Sequence, residues 1–191
     1  MHQPSGETLD PRVRRTRQML HQALEKLLET KEFDKISVQD VTDAATLNRA
    51  TFYDHYADKF ELLECMVGTR FHELLAERKV QFDGTCSSAL NALVLGVCDY
   101  LTQMQGPGGD RQLQPHMQAA VIAVVRRTLL DGLKNHGMEN AASAEMIAAA
   151  ASWAIYGAAQ EWAATPEHCP SERIAGAVVQ LVSPILTQAA A

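Results

Sequence analysis

The stretch at residues 37–59, SVQDVTDAATLNRATFYDHYADK, limits the possible folds more than any other part of the chain. Val38, Val41, Ala44 and Ala45 recur at the spacing of one helical face, the pattern breaks at Thr46 and Leu47, and a second short helix starts behind Asn48, a side chain suited to capping its first amides. Two helices this short bury too little to hold themselves. A third must pack on them, and Leu20, Ala23, Leu24, Leu27 and Leu28 upstream supply its apolar stripe. The pattern predicts a helix-turn-helix head.

Charge argues the other way until its placement is considered. The chain of 191 residues carries a formal net charge of −6, and residues 1–60 hold nine Lys and Arg against ten Asp and Glu. Phosphate contacts need local cations rather than a basic protein, and Arg12, Arg14, Arg15 and Arg17 cluster at the start of the first helix. They fit either a phosphate contact or a solvated helix end. Cys65, Cys86, Cys98 and Cys169 have neither CxxC spacing nor a disulfide framework, so reduced thiols are expected. The first residues lack a signal-type apolar segment, and Ser, Gly, Gln and Pro184 interrupt the long uncharged runs. These features predict a cytoplasmic protein without a membrane partner.

In chain order, residues 1–10 read as a lead-in. Asp10 and Pro11 start a helix running to about Thr30, Phe33 and Ile36 close the bottom of the three-helix core, and Ser37 with Asp40 caps the next helix. Behind Asn48, Arg49, Ala50 and Thr51 form the first turn of the second short helix, the part that reaches base edges when such units dock in the major groove. Arg49 has donors for a guanine edge, Thr51 offers a hydroxyl and a methyl, and Ala50 permits close approach. Phe52 and Tyr56 read as core, Tyr53 and His55 as phosphate contacts. Asp58 caps a helix with Lys59 in its first turn, where a phosphate fits.

Phe33, Ser37, Val38, Val41, Ala45, Leu47, Asn48, Thr51, Phe52, Tyr53, His55, Tyr56, Asp58, Lys59, Leu62 and Leu63 together resemble the signature of the TetR family of one-component transcriptional repressors. The resemblance covers the first third of the chain. It implies an all-α fold: a three-helix DNA-binding head at residues 1–57 and a larger helical effector-binding and dimerisation domain at residues 58–191. It places Arg49, Ala50, Thr51 and Tyr53 at the groove and Ser37, Tyr53, His55 and Lys59 on phosphates, with Arg15 or Thr16 beside them; Asn48 belongs to the same DNA-facing set. Thr46 departs from the glycine common there, so the turn either takes another backbone conformation or is strained.

Beyond the head, a helix from Asp58 toward Lys79 carries Phe60, Leu63, Val67, Phe71, Leu74 and Leu75 on one side and ends at Asp83 and Gly84. It is too long for the head alone and reads as a connector. Residues 85–104 form the next helix; residues 106–114, GPGGDRQLQ, are irregular, either a flap or an ordinary loop. Pro115 opens a helix with Ala119, Ile122, Val125, Leu129, Leu130 and Leu133 buried, ended by Asn135, His136 and Gly137. Helices at residues 144–164 and 171–187 follow, the second with Pro184 bending or fraying its end. These last two have more apolar face than one bundle side needs, which predicts a homodimer through Ala150, Trp153, Ala154, Gly157, Ile174, Val178, Leu181 and Ile185.

A small-molecule effector is implied by the resemblance, with His72, Cys98, Tyr100, His116, Met117, Trp153, Tyr156 and Glu161 as candidate contacts. A Trp–Tyr–Trp group beside Glu161 would suit an aromatic or cationic molecule. The expected function is a regulator, most readily a repressor, that binds palindromic double-stranded operator DNA as a homodimer and leaves it when the effector binds. No enzyme activity, cofactor or metal is expected. The alternatives are a helical metal, redox or enzyme protein using the His and Cys residues, of which His168 and Cys169 are the tightest pair, and a helical adaptor that has lost DNA binding.

Overall fold

The structure, a computed structural model, describes residues 10–80, 86–104, 114–135 and 141–187, and every regular element among them is helical. The lead-in before Asp10, the helix end at Asp83 and Gly84, nearly all of the loop at residues 106–114 and the stop at His136 and Gly137 lie outside the described residues. The chain divides into two compact units, one ending at Met66 and one beginning at Val67.

The first unit holds α1 (Pro11–Leu28), α2 (Val38–Ala45), α3 (Arg49–Tyr53) and the first turns of α4 (Lys59–Glu77). Local polar spacing sets each helix start. Asp10 accepts from the Arg12 amide at 2.8 Å with Pro11 in the first turn. At α2 the Ser37 hydroxyl accepts from the Asp40 amide while the Asp40 carboxylate accepts from the Ser37 amide, a reciprocal pair. Lys31, 2.7 Å away, and Ser37 hold the Asp40 carboxyl well below the ordinary range. Leu20, Leu24, Phe33, Ile36, Val41, Phe52, Leu62 and Leu63 are all buried in this unit. The division falls inside α4 because the head needs that helix's first turns: Phe60 meets Phe33 edge-on at 5.3 Å.

Thr46 resolves the turn. It ends α2 in the left-handed region, φ 57 and ψ 42, and the Leu47 amide donates to the Thr42 carbonyl at 2.9 Å. The backbone geometry is the one a glycine would adopt, held here by a β-branched residue at a steric cost.

The second unit holds the rest of α4 with α5 (Ser87–Met104), α6 (Gln114–Asn135), α7 (Ala141–Ala164) and α8 (Ser171–Thr187). Helix α7 packs on α5, α6 and α8. Gly96 of α5 is a close-approach point, since a Cβ there would lie 2.7 Å from a Leu75 methyl of α4. Arg78, in the turn just after α4, pairs with Asp99 of α5. α4 ends earlier than expected, at Glu77, because Lys79 turns left-handed at φ 54 and the Val80 amide donates to the Leu75 carbonyl. On α6, Ala119 is exposed rather than buried. On α7, Ala144, Ala148, Ala151, Ile155 and Ala159 are buried, while Met146, Ala150, Trp153, Ala154 and Gly157 face outward. Among the described residues no helix is long and apolar enough to cross a membrane.

Candidate functional site

The head presents one polar face built on α3. The Asn48 side-chain oxygen accepts from the Thr51 amide at 2.7 Å and from its hydroxyl at 2.9 Å, so the start of α3 is fixed by its own sequence and the Thr51 hydroxyl is engaged there. Phe52 is buried beneath and pins the helix. Arg49, Ala50 and Tyr53 remain exposed, Tyr53 by 50%. Arg49 donates to the Tyr53 hydroxyl at 3.2 Å, with its guanidinium 5.8 Å from the Tyr53 ring centroid. The two side chains thus share one orientation before anything binds. Arg15 is exposed on α1; Thr16 is half-buried, its hydroxyl donating to the Arg12 carbonyl. Ser37 is exposed but committed to its cap, and His55 is half-buried beside Tyr56.

Lys59 departs from expectation. Its ammonium donates to the carbonyls of Phe33 at 2.9 Å, Asp34 at 3.2 Å and Ile36 at 2.9 Å, and it lies 4.6 Å from the Phe33 ring centroid. All three protons are used inside the head, so Lys59 is a staple rather than a free phosphate ligand. Nor is the start of α4 open to an anion. Asp58 accepts from the amides of Phe60 and Glu61, and the Glu61 carboxylate accepts from the Ala57 amide.

Tyr56 is buried as expected for a core residue, and its hydroxyl joins a cluster that the sequence reading missed. It shares a hydrogen bond with His21 Nε2 at 2.9 Å and donates to Cys65 Sγ at 3.7 Å, while Arg17 lies 5.7 Å from its ring centroid. Burial, then the Arg17 charge, lowers the His21 pKa. The one available signal was the i, i+4 spacing of Arg17 and His21 on the inward side of α1.

The candidate effector contacts do not form one group. His72, Trp153 and Glu161 are exposed, His116 and Met117 half-buried, and Cys98, Tyr100 and Tyr156 buried. The Trp–Tyr–Trp arrangement is broken up: Trp153 faces outward, Tyr156 inward, and the Trp162 indole donates to the Cys169 carbonyl at 2.7 Å. Trp153 instead helps line an open groove of about 410 Å³ between α6 and α7, with Ile122, Arg126 and Ala149. His168 packs against the Trp162 ring at 4.1 Å. Among the described residues no three His, Cys, Asp or Glu gather as a metal set.

Of the residues expected at a dimer face, Ala150, Trp153, Ala154, Gly157 and Leu181 are exposed, with Trp153 at 58% and Leu181 at 71%. Ile174 and Ile185 are half-buried. Val178 is the exception. It is buried in its own chain because it continues the inward row of Ala175, Val182 and Leu186, whereas Ala177 and Leu181 on α8 are exposed.

The family model for "Bacterial regulatory proteins, tetR family" matches residues 20–66, the same helices that carry the α3 face. The N-terminal unit belongs to the TetR family. Over 68 residues the chain is 43% identical to the uncharacterized HTH-type transcriptional regulator YxbF of Bacillus subtilis (strain 168), a match spanning 35% of this chain and 18% of that relative's length. The TetR-type head therefore stands on sequence as well as on shape. The helical unit is matched in fold. The TetR family repressor AlkX from Dietzia sp. superposes with a TM-score of 0.56 over 96% of this chain and 98% of that one at 18% identity. RolR, solved with resorcinol, gives 0.56 over 94% and 95% at 14% identity.

Proposed function

We propose that this chain is a ligand-responsive transcriptional regulator of the cytoplasm. It acts as a repressor, binding palindromic double-stranded operator DNA as a homodimer and leaving it when a small molecule binds the helical unit. The observation that carries this reading is the α3 face: Arg49, Ala50 and Tyr53 stand exposed on a helix whose start is locked by Asn48 and whose underside is held by Phe52. A helix held this way can present its first turn to base edges with little reorganisation. One short helix covers few base pairs, so a second copy is needed, and the outward stripe of Met146, Trp153 and Leu181 on α7 and α8 offers its contact surface.

The test is a footprint on the DNA flanking its own gene, followed by titration of the protected fragment and of unrelated duplex. Arg49→Ala is expected to remove about 1–3 kcal/mol of discrimination between them. Arg15→Ala should weaken both equally and lower the salt slope by about one. Binding that is equally weak on every fragment and indifferent to Arg49→Ala overturns the proposal.

A further inference from the structure

Arg49 and Tyr53 stand one helical turn apart on α3, the i, i+4 spacing at which side chains on a helix meet. The Arg49 Nη2 donates to the Tyr53 hydroxyl at 3.2 Å, and the guanidinium carbon lies 5.8 Å from the ring centroid. Tyr53 is itself anchored. Its ring meets that of buried Phe52 edge-on at 5.4 Å and 82°, so the acceptor offered to Arg49 is tied to the core of the head although the tyrosine is half exposed. The acceptor is also neutral. A carboxylate in its place would hold Arg49 more strongly but would offset its charge and repel phosphate, whereas a phenol orients the guanidinium and leaves the charge intact. One of the five guanidinium N–H groups is used, and the remaining four suffice for a two-pronged contact with guanine O6 and N7.

We propose that Tyr53 is a positioning residue for base reading: its hydroxyl sets the Arg49 guanidinium for a guanine edge, so part of the sequence preference of α3 resides in a side chain that need not touch a base. This rests on the base-reading role given to Arg49 above. The reason is entropic. A long arginine side chain gives up rotamer freedom when it docks on one base, and a side chain ordered beforehand gives up less. On a duplex without the matching base that docking does not occur, so the gain goes to the preferred sequence. Phosphates are the same on every duplex and carry no such preference. A hydroxyl that acts on phosphate alone changes affinity; one that acts through Arg49 changes discrimination.

The experiment selects binding sequences for the full chain from a random duplex library. Kd is then measured on the selected duplex and on a scrambled one for the native protein, Tyr53→Phe, Arg49→Ala and the double variant. Tyr53→Phe keeps the ring against Phe52 and removes the acceptor. It should lower the ratio of the two affinities about fivefold per reading helix, the size expected for ordering one long side chain, and should lower it no further once Arg49 is replaced by alanine. A ratio unchanged in Tyr53→Phe overturns the proposal; equal weakening on both duplexes would then make Tyr53 a phosphate ligand only. A fall of the same size with and without Arg49 also overturns it, since Tyr53 would be reading a base itself. Either result leaves the regulator reading standing, because a sequence was selected. A native protein that selects no sequence overturns both.

Discussion

The head and the helical unit differ in how their buried phenols are met and in how much large apolar surface they leave in solvent. In the head, partners lie within the unit: Asp10, Ser37 and Asn48 cap their own helices, Lys59 is absorbed by three carbonyls, and Tyr56 bonds to His21 and Cys65. In the helical unit the Tyr100 hydroxyl has no partner, and Met146, Trp153 and Leu181 stand in solvent. The contrast is one of degree, since Arg17 Nε in the head is, like the Tyr100 hydroxyl, buried without a hydrogen-bond partner.

The largest effect that could break this contrast lies on α7 and α8. Trp153→Asp or Leu181→Asp should cost ~2 kcal/mol or more of association, about thirtyfold, read as a shift toward monomer in sedimentation velocity. A native protein that sediments as a monomer at every concentration would mean the stripe has no partner copy. Within the head, Lys59→Met should lower unfolding free energy in urea by about 2 kcal/mol, since it takes the ammonium away from the part-buried carbonyls of Phe33 and Ile36. If the variant were as stable as the native protein and only weaker on DNA, Lys59 would be a phosphate ligand after all.

Thr46→Gly is expected to act in the other direction, stabilising the head by about 1 kcal/mol through relief of the left-handed strain. Urea melts would register it as a higher midpoint with unchanged slope. A lower midpoint would mean that the threonine side chain makes up for the strain.

The smallest effect is on pH. His21 titrates lower in the folded head than its ordinary value of 6.5, so below that value the unfolded chain binds more protons than the folded one. Stability attributable to His21 is therefore complete above pH 6.5 and declines as pH falls through and below it. His21→Gln should flatten the melting temperature between pH 7.5 and about 5.5. An unchanged slope would show that other groups set the acid limb. Asp40, with its carboxyl held down by Lys31 and Ser37, adds its own decline only below the ordinary carboxylate range.

Most of the head was legible in the chain because its determinants are local. Cap and capped amide lie two or three residues apart at Asp10, Ser37 and Asn48, and the apolar row of α1 repeats at helical spacing. Lys59 was not legible, since its carbonyls lie 23 to 26 residues earlier and nothing nearby distinguishes a lysine that reaches them from one that reaches a phosphate. In α7 alanines occupy both faces, so composition could not say which side was buried. Val178 was misplaced for the same reason: on α8 inward Val178 and outward Leu181 are both aliphatic and differ only in which side their neighbours occupy.

By itself, then, the sequence determined a capped three-helix head with Arg49 and Ala50 at the start of its short third helix and Tyr53 at its end, because helix ends and turns are settled by groups a few residues apart. Only the tertiary structure decided that Thr46 turns left-handed, that Lys59 faces inward, and that Tyr100 is enclosed without a partner. Those outcomes depend on where distant segments arrive, and hydrophobic burial brings them together without regard to which polar group ends up beside which.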